Sequence, residues 1–204
     1  MGTAVLFLKL KIQFSILVVA LVTSCAGKPC DDCIPQHYLE KCQLVDGFDF
    51  PVGKPDAKGY YDAQSFGKNN HLGSDWNGNG GGNSDFGDDV FSIADGVVFY
   101  AENFGGGWGN VIRIVHNTGT KNSPVYVESL YAHFDKILVT EGAVVKRGEK
   151  IGTIGNAGGI YLAHLHLEIR TEINMEIGGG YSADKNGFTD PTLFIKTRRP
   201  KSNR

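Results

Sequence analysis

The chain has little net charge and few cysteines. Its 20 Lys and Arg residues nearly balance 22 Asp and Glu residues, giving a formal net charge of −2. The basic face expected of a nucleic-acid-binding protein is therefore missing, and we expect no nucleic-acid partner. The 204 residues contain only four cysteines, and all lie in the first fifth of the chain: Cys25, Cys30, Cys33 and Cys42. The remaining four fifths can hold neither a disulfide framework nor a cysteine zinc site.

Long hydrophobic runs are also missing. The most apolar stretch, residues 12–22, is shorter than the roughly 20 residues of a transmembrane helix. Lysines precede it and small residues follow, which is typical of a secretory signal peptide over residues 1–24. The letters "VTSC" resemble the bacterial lipobox and imply a lipid anchor at Cys25. A plain cleaved signal peptide and an uncleaved anchor are the alternatives, and each leaves the domain outside the cytoplasm.

The fate of Cys25 decides how the other cysteines pair. A lipidated Cys25 leaves three thiols, enough for one bridge and one odd thiol, whereas a free Cys25 allows two bridges. The motif Cys30-x-x-Cys33 has no second CxxC to complete a zinc site, so a stapled or flexible lead-in is the expectation. We divide the chain into a signal (1–24), this lead-in (25–58), a domain (59–195) and a basic tail (196–204) that we expect to be solvated.

Helical periodicity is scarce, whereas short β-branched and aromatic runs such as "NVIRIVH" and "KIGTIG" recur between turn signals. This pattern predicts an all-β fold. The 28 glycines cluster in "GNGGGN" and "GGGWG", which we interpret as loops. In the run "AHLHLEIR", side chains of a strand alternate between faces, so His164, His166, Glu168 and Arg170 should share one face. Its two imidazoles should lie roughly 6.5 to 7 Å apart, a distance suited to sharing one ion or substrate.

The chain has only six histidines, and four occupy suggestive places. His71 and Asp75 form a His-x-x-x-Asp in "HLGSD", His133 lies in "LYAHF", and the others form the His-x-His. A catalytic zinc takes three protein ligands and keeps an open position, which His71, Asp75 and one histidine of the His-x-His can supply. Two histidines then remain for proton transfer, since the HExxH motif with its glutamate base is absent.

The ordered set of motifs resembles the M23 family of zinc metallopeptidases, the lysostaphin- and LytM-like peptidoglycan endopeptidases. The resemblance runs from about residue 66 to residue 195. It begins with "HLGSD" and continues through "VFSIADGVV", "GNVIRIVH" and "YAH". It ends with "EGAVVKRGEKIGTIGNAGG" and "HLHLEIR". It implies a small antiparallel β-sandwich with long Gly-rich loops, one zinc ion per chain, and hydrolysis of peptidoglycan peptide cross-links by metal-activated water.

The resemblance also implies individual roles. His71, Asp75 and His166 correspond to zinc ligands, and His133 and His164 correspond to the catalytic pair, without deciding which of them is the base. His116 is expected to be structural. Glu168 either orients an imidazole or is solvated or salt-bridged. The family further implies a bacterial envelope location, either membrane-anchored or secreted, and leaves open an activator protein as a partner.

Three functions stay open at this stage. One is the peptidoglycan peptidase, and another is a zinc peptidase acting on other extracellular protein. The third is a non-catalytic envelope protein that activates wall hydrolases, although M23-like domains of that kind usually lose a ligand. The insertion "WNGNGGGNSDFGDD" after Asp75 is longer than the usual family link and is expected to be a mobile loop that either shapes the groove or is inert. Trp76 and Trp108 are candidates for stacking on a substrate.

Overall fold

A computed structural model describes Met1 and residues 34–201. The predicted signal segment beyond Met1, the proposed anchor Cys25 and the Cys30–Cys33 motif therefore lie outside the described residues. Apart from Met1, every described residue belongs to one compact unit, Asp32–Arg204. Within this part of the chain, no helix has both the length and the apolar character needed to cross a membrane.

The described residues form a β-structure with two short helices, which confirms the all-β prediction. The helices are α1 (Gln36–Lys41) and α2 (Pro191–Thr197). The strands are β1 (Tyr60–Gln64), β2 (Ser74–Gly78), β3 (Asp89–Phe91), β4 (Gly96–Gly105), β5 (Gly109–Asn117), β6 (Tyr126–Ile137), β7 (Val144–Val145), β8 (Lys150–Ile154), β9 (Leu165–Arg170) and β10 (Phe188–Thr189).

These strands join one open, branched antiparallel sheet in the order β1-β2-β9-β6-β5-β4-β7. The branch point is the long strand β6. Its first half, up to Ala132, pairs with β9, and its second half, from Phe134, pairs with β8. His133 lies where β6 changes partners, and β2 and β6 flank β9 on its two sides. The elements that carry the four suggestive histidines are therefore neighbours.

The lead-in is part of the domain rather than a separate segment. Phe48, Phe50 and Val52 are buried in the main core together with residues of the central strands. The apolar burial that holds the domain therefore extends N-terminal to the boundary expected at residue 59. Cys42 is a free, buried thiol that donates to the backbone oxygen of Val115 at 3.3 Å. Burial raises the pKa of this thiol to about 11. The two-bridge alternative is not what the structure shows.

The described part of the basic tail is largely exposed, as expected, at Lys196, Thr197, Arg198 and Lys201, whereas Arg199 and Pro200 are half-buried. Its first two residues lie in α2. Arg199 donates hydrogen bonds to the backbone oxygens of Phe48 and Pro55 at 3.0 and 2.9 Å. It also pairs with Asp49 at 2.9 Å. The carbonyls and carboxylates of the lead-in thus bind the tail, a partnership that local sequence does not show.

Candidate functional site

The His71–Asp75 stretch enters β2 through a tight passage beside β9. Asp75 lies opposite His166 in the antiparallel pair of β2 with β9. Gly73 explains the glycine in this motif, because a Cβ atom there would lie 2.5 Å from the backbone oxygen of Leu167 and 2.8 Å from the His166 ring. A side chain at this position would push the two strands apart. The stretch is therefore a strand entrance, with Asp75 already inside β2.

Three ligand atoms converge on one point between β2 and β9. The His166 Nδ1 atom lies 2.9 Å from Asp75 Oδ1 and 3.1 Å from His71 Nε2, and the His71 Nε2 and Asp75 Oδ1 atoms are 3.3 Å apart. The two imidazoles are almost fully buried, and Asp75 is 9% exposed. Among the described residues, these three form the group of His and Asp side chains that could hold a metal ion.

Hydrogen bonds on the far side of each ring determine which nitrogen faces this point. His71 Nδ1 lies 3.0 Å from the backbone oxygen of Gln64, and His166 Nε2 lies 3.1 Å from Glu168 Oε1. Carbonyl and carboxylate oxygens only accept, so these nitrogens must be the N–H donors. The lone pairs of a neutral His71 Nε2 and a neutral His166 Nδ1 then point at each other and at Asp75.

Such a set of acceptors needs a cation between its members. In the metal-free chain, a proton on His166 supplies this positive charge. Burial alone would lower the pKa of His166, but hydrogen bonds to Asp75 and Glu168 raise it to about 9. Burial likewise opposes the charge on Asp75, yet hydrogen bonds from His166 and His71 hold its pKa well below the usual range. The site thus keeps a carboxylate and a positive charge together out of water.

The same donor set fits zinc. Two imidazole nitrogens and one carboxylate oxygen are the ligands of many catalytic zinc sites, which keep a fourth position open. Ligands about 2.0 to 2.1 Å from a tetrahedral ion lie roughly 3.3 Å from one another. The three observed separations, 2.9 to 3.3 Å, are close to this value. The second hydrogen bond of each imidazole is the kind of support that ligating histidines usually have.

His133 and His164 lie beside the ligand set, and His164 Nε2 is 3.9 Å from Asp75 Oδ1. Their ring centroids are 4.7 Å apart, and the His133 ring is 5.7 Å from that of His166. His133 Nδ1 lies 3.3 Å from the backbone oxygen of Trp108, and His164 Nδ1 lies 2.8 Å from that of Leu162. Each Nδ1 therefore donates, and each Nε2 keeps its lone pair. Burial, followed by the neighbouring His166 and His164, lowers the pKa of His133 to about 3.

All five predicted site residues line one open pocket of about 410 Å³. Its other lining residues are Gln64, Gly107, Trp108, Tyr161, Gly179, Gly180 and Tyr181. Tyr161 packs against the rings of His133 and His164 at 5.1 and 5.8 Å, and Tyr181 packs against that of His71 at 5.1 Å. Sequence reasoning missed both tyrosines, because neither belongs to a motif and each lies in a loop. Of the two tryptophan candidates, Trp108 lines the pocket, whereas Trp76 is a buried core residue.

The Gly-rich insertion does not line this pocket. It instead holds the start of β9, because Ala163 N–H donates to Asn83 Oδ1 at 2.7 Å and the Asn77 amide donates to the Ala163 oxygen at 3.3 Å. Ala163 directly precedes His164. The insertion is therefore placed to fix the position of this histidine from behind.

Glu168 and His116 illustrate two outcomes for buried polar residues. Glu168 is fully buried. It accepts a hydrogen bond from the His166 ring, and it also forms a salt bridge with Arg170 at 2.7 Å. It is not solvated. The His116 ring is fully buried with Nδ1 against the Asp95 oxygen at 2.9 Å and Nε2 against the Ser129 hydroxyl at 2.7 Å. Both of its nitrogens have protein partners, in keeping with a structural role.

Three curated proteins show the most informative sequence similarities. The lipoprotein NlpD of Yersinia enterocolitica is 44% identical over 84 residues, which cover 41% of this chain and 78% of that protein. The murein hydrolase activator NlpD of Escherichia coli (strain K12) is 44% identical over 81 residues, 40% of this chain but 19% of that protein. The peptidoglycan DD-endopeptidase ShyB of Vibrio cholerae is 40% identical over 80 residues, 39% of this chain and 17% of that protein.

Two solved structures resemble the fold. A zinc-containing peptidase from Vibrio cholerae aligns with a TM-score of 0.50 at 28% identity, covering 71% of this chain and 39% of that one. Lysostaphin from Staphylococcus simulans aligns with a TM-score of 0.52 at 27% identity, covering 68% of this chain and 50% of that one. Residues 69–177, more than half of the sequence, match the description of peptidase family M23. The chain belongs to peptidase family M23.

Proposed function

We propose that this protein is a zinc-dependent endopeptidase that hydrolyses the peptide cross-links of bacterial peptidoglycan. The observation that carries the proposal is the convergence of three ligand atoms within 4.8 Å of one another beside two further histidines, in one open pocket. A structural cluster would satisfy its ring nitrogens within the protein, as His116 does. Here two imidazoles keep an Nε2 lone pair for a ligand.

In this proposal one zinc ion per chain is held by His71 Nε2, the Asp75 carboxylate and His166 Nδ1. Bound there, zinc supplies a Lewis acid that acidifies water and polarises the carbonyl of the scissile amide. Two neutral imidazoles and one carboxylate leave the ion with a net positive charge, so its Lewis acidity is retained. The site thus fits a hydrolytic metal better than a purely structural one, which usually has four protein ligands.

His133 and His164 do the proton chemistry. A neutral imidazole at Nε2 accepts the proton that water loses as it attacks the carbonyl carbon. The resulting imidazolium donates that proton to the nitrogen of the departing amine as the C–N bond breaks. The other histidine, after taking a second proton from solvent at Nε2, would donate a hydrogen bond to the developing oxyanion. Anchoring of both Nδ1–H groups to backbone oxygens fixes the rings for these roles.

Peptidoglycan as the substrate is supported by two relatives, one named as a peptidoglycan endopeptidase and one as an activator of murein hydrolases. The pocket is open and has Gly107, Gly179 and Gly180 among its lining residues, which leaves room for a peptide beside the histidines. We further propose that the protein is exported and held at the envelope by lipid on Cys25. The name of the Yersinia relative, a lipoprotein, supports this location.

A second candidate, activation of another wall hydrolase without catalysis, is favoured by one observation. The Escherichia coli relative at 44% identity is described as a murein hydrolase activator. The geometry argues the other way, because the chain keeps all three ligands and both additional histidines in one pocket. We therefore place the peptidase first.

The experiment that separates the two uses purified residues 26–204, analysed for metal and incubated with defined muropeptides whose products are identified by mass spectrometry. One zinc per chain and new peptide termini, both lost in His166→Ala, would establish the hydrolase and identify the bond. Absence of both zinc and cleavage would favour the activator, and addition of candidate wall amidases would then test it directly. Zinc without cleavage would point to a masked site, a missing activator or another extracellular substrate.

A further inference from the structure

Four charged residues form a buried ladder behind the metal-binding group. Arg113, Glu128, Arg170 and Glu168 alternate in sign, and each is at most 6% exposed. Arg113 Nε donates to Glu128 at 2.7 Å, and Arg170 lies 3.7 Å from Glu128 and 2.7 Å from Glu168. Two cations balance two carboxylates, which is the condition for keeping such charges out of water. We call this set the buried ladder.

One end of the ladder holds a proposed metal ligand. Glu168 divides its two oxygens: Oε1 accepts from His166 Nε2 at 3.1 Å, and Oε2 accepts from Arg170 Nε at 2.8 Å. The Glu168 carboxylate can therefore turn only if both partners move. Arg170 fixes the plane of this carboxylate and, through it, the orientation of the His166 ring.

The other donors of Arg170 hold a wall of the pocket. Its guanidinium donates to the backbone oxygens of Glu176 and Ile177 at 3.0 and 2.9 Å. The same segment, residues 175–181, ends in the pocket-lining residues Gly179, Gly180 and Tyr181. We call it the wall segment.

The wall segment has other attachments as well: the Met175 oxygen accepts from Arg113 at 2.7 Å, and Ile177 is buried among Val111, Leu130 and Ala132. The Gly178 oxygen accepts from Trp108 Nε1 at 2.9 Å, and the Gly180 oxygen accepts from the N–H of Leu72, next to His71, at 2.9 Å. Three consecutive residues, 178–180, are glycines with no side chain to anchor them. The contacts of Arg170 and the burial of Ile177 therefore fix the start of the segment together, ahead of the three glycines.

We propose that Arg170 is a positioning residue that ties the metal ligand His166 and the wall segment to one guanidinium, so that metal binding and order of the pocket wall are coupled. The proposal rests on the proposed function for the identity of the metal. The planar fork of arginine, with donors fixed in two directions, is what permits one residue to hold a carboxylate and two carbonyls together. Lysine has one ammonium group and cannot span both sets.

The test compares Arg170→Lys with Arg147→Lys in the full chain. Arg147 is a matched control, because its side chain is 7% exposed and pairs with Asp46 and Asp49 in the lead-in rather than with the site. We expect Arg170→Lys to weaken zinc binding by roughly 10-fold or more, as loss of support behind a ligand does, measured by competition with a chelator. Amide hydrogen exchange of the wall segment should rise in the same variant. Arg147→Lys should change neither quantity.

A measurement on the wild-type chain tests the coupling even if the variant folds poorly. Reciprocity of linked equilibria requires zinc binding to slow hydrogen exchange in the wall segment. Unchanged zinc affinity in a folded Arg170→Lys variant, or identical wall exchange with and without zinc, would overturn the proposal. Neither readout uses turnover, so a chain that binds zinc yet cleaves no muropeptide would refute the proposed function and leave this inference standing.

Discussion

The ligand set and the histidine pair differ in where their ring nitrogens point. His71 and His166 have one nitrogen held by the protein and the other aimed at Asp75. His133 and His164 have one nitrogen held by a backbone oxygen and the other left for the pocket. The rings of both groups lie within a few ångströms of one another. What separates the two groups is the distance of the other nitrogen from Asp75 Oδ1, which is 3.3 Å for His71, 2.9 Å for His166 and 3.9 Å for His164.

The largest expected effect removes a ligand. In His166→Ala the point of convergence loses one of three donors, so we expect zinc to fall from one per chain to near zero and muropeptide cleavage to disappear. Metal analysis and mass spectrometry measure the two losses. A variant that keeps one zinc per chain would show that the ligand set is assigned wrongly.

Removing a member of the pair should leave the metal in place. His133→Ala keeps His71, Asp75 and His166, so we expect wild-type zinc content with kcat lowered by about 10²- to 10⁴-fold, the usual contribution of a general acid or base. The same variant at His164 extends the test to the second member. Full turnover in His133→Ala would contradict its role and erase the distinction between the two groups.

His116 is a buried histidine outside the site, and its titration can be measured through the stability of the protein. Burial lowers its pKa to about 4, and in the unfolded chain it returns to about 6.5. Between these values the unfolded state binds more protons, so stability rises with pH and the penalty is complete below about pH 4. His116→Gln has no proton to bind in this range. The free energy of unfolding of the metal-free wild type should therefore rise more steeply, by about 1 kcal/mol per pH unit, than that of the variant.

Chemical denaturation at several pH values between 4 and 6.5 measures both slopes. Parallel curves for wild type and His116→Gln would mean that His116 is protonated in the folded protein, and that its two hydrogen bonds do not mark it as a neutral structural residue.

The smallest effect concerns the placement of His164. Asn83→Ala removes the acceptor of the Ala163 N–H, a hydrogen bond worth about 1 kcal/mol. We expect unchanged zinc content and a kcat lowered by a few-fold, about the factor to which that energy corresponds. Asn79→Ala, an exposed residue of the same insertion, is the matched control. Equal activities of the two variants would favour an inert insertion.

Much of the site could be predicted from the sequence, because the alternation of side chains between the two faces of a strand is a local property. Leu165 to Arg170 form β9, with His164 just before it, and Asp75 lies on the adjoining strand β2. The alternation of side chains along a strand does not show whether the face that they share is exposed to solvent or buried. Glu168 and Arg170 are buried because β6 supplies Glu128 and β5 supplies Arg113, residues far away in sequence.

The missed features share one cause. Tyr161 and Tyr181 enter the pocket from loops, whose course follows from contacts with the sheet rather than from any periodic pattern. The same holds for the tail, since Arg199 finds partners some 140 residues earlier in the chain. The packing of Phe48 and Phe50 in the main core is likewise not visible in the local sequence. The core therefore includes residues N-terminal to the boundary expected at residue 59.

The backbone at His133 has a consequence for how this protein responds to selection. Its φ of 68° lies in the left-handed region, where β6 changes partners, and glycine is the residue that occupies this region without steric cost. An imidazole held there costs on the order of 1 kcal/mol of stability. A library screened for heat resistance alone should therefore enrich His133→Gly and lose hydrolysis in the same step. For the proposed peptidase, thermostability and turnover would then be competing phenotypes at this position.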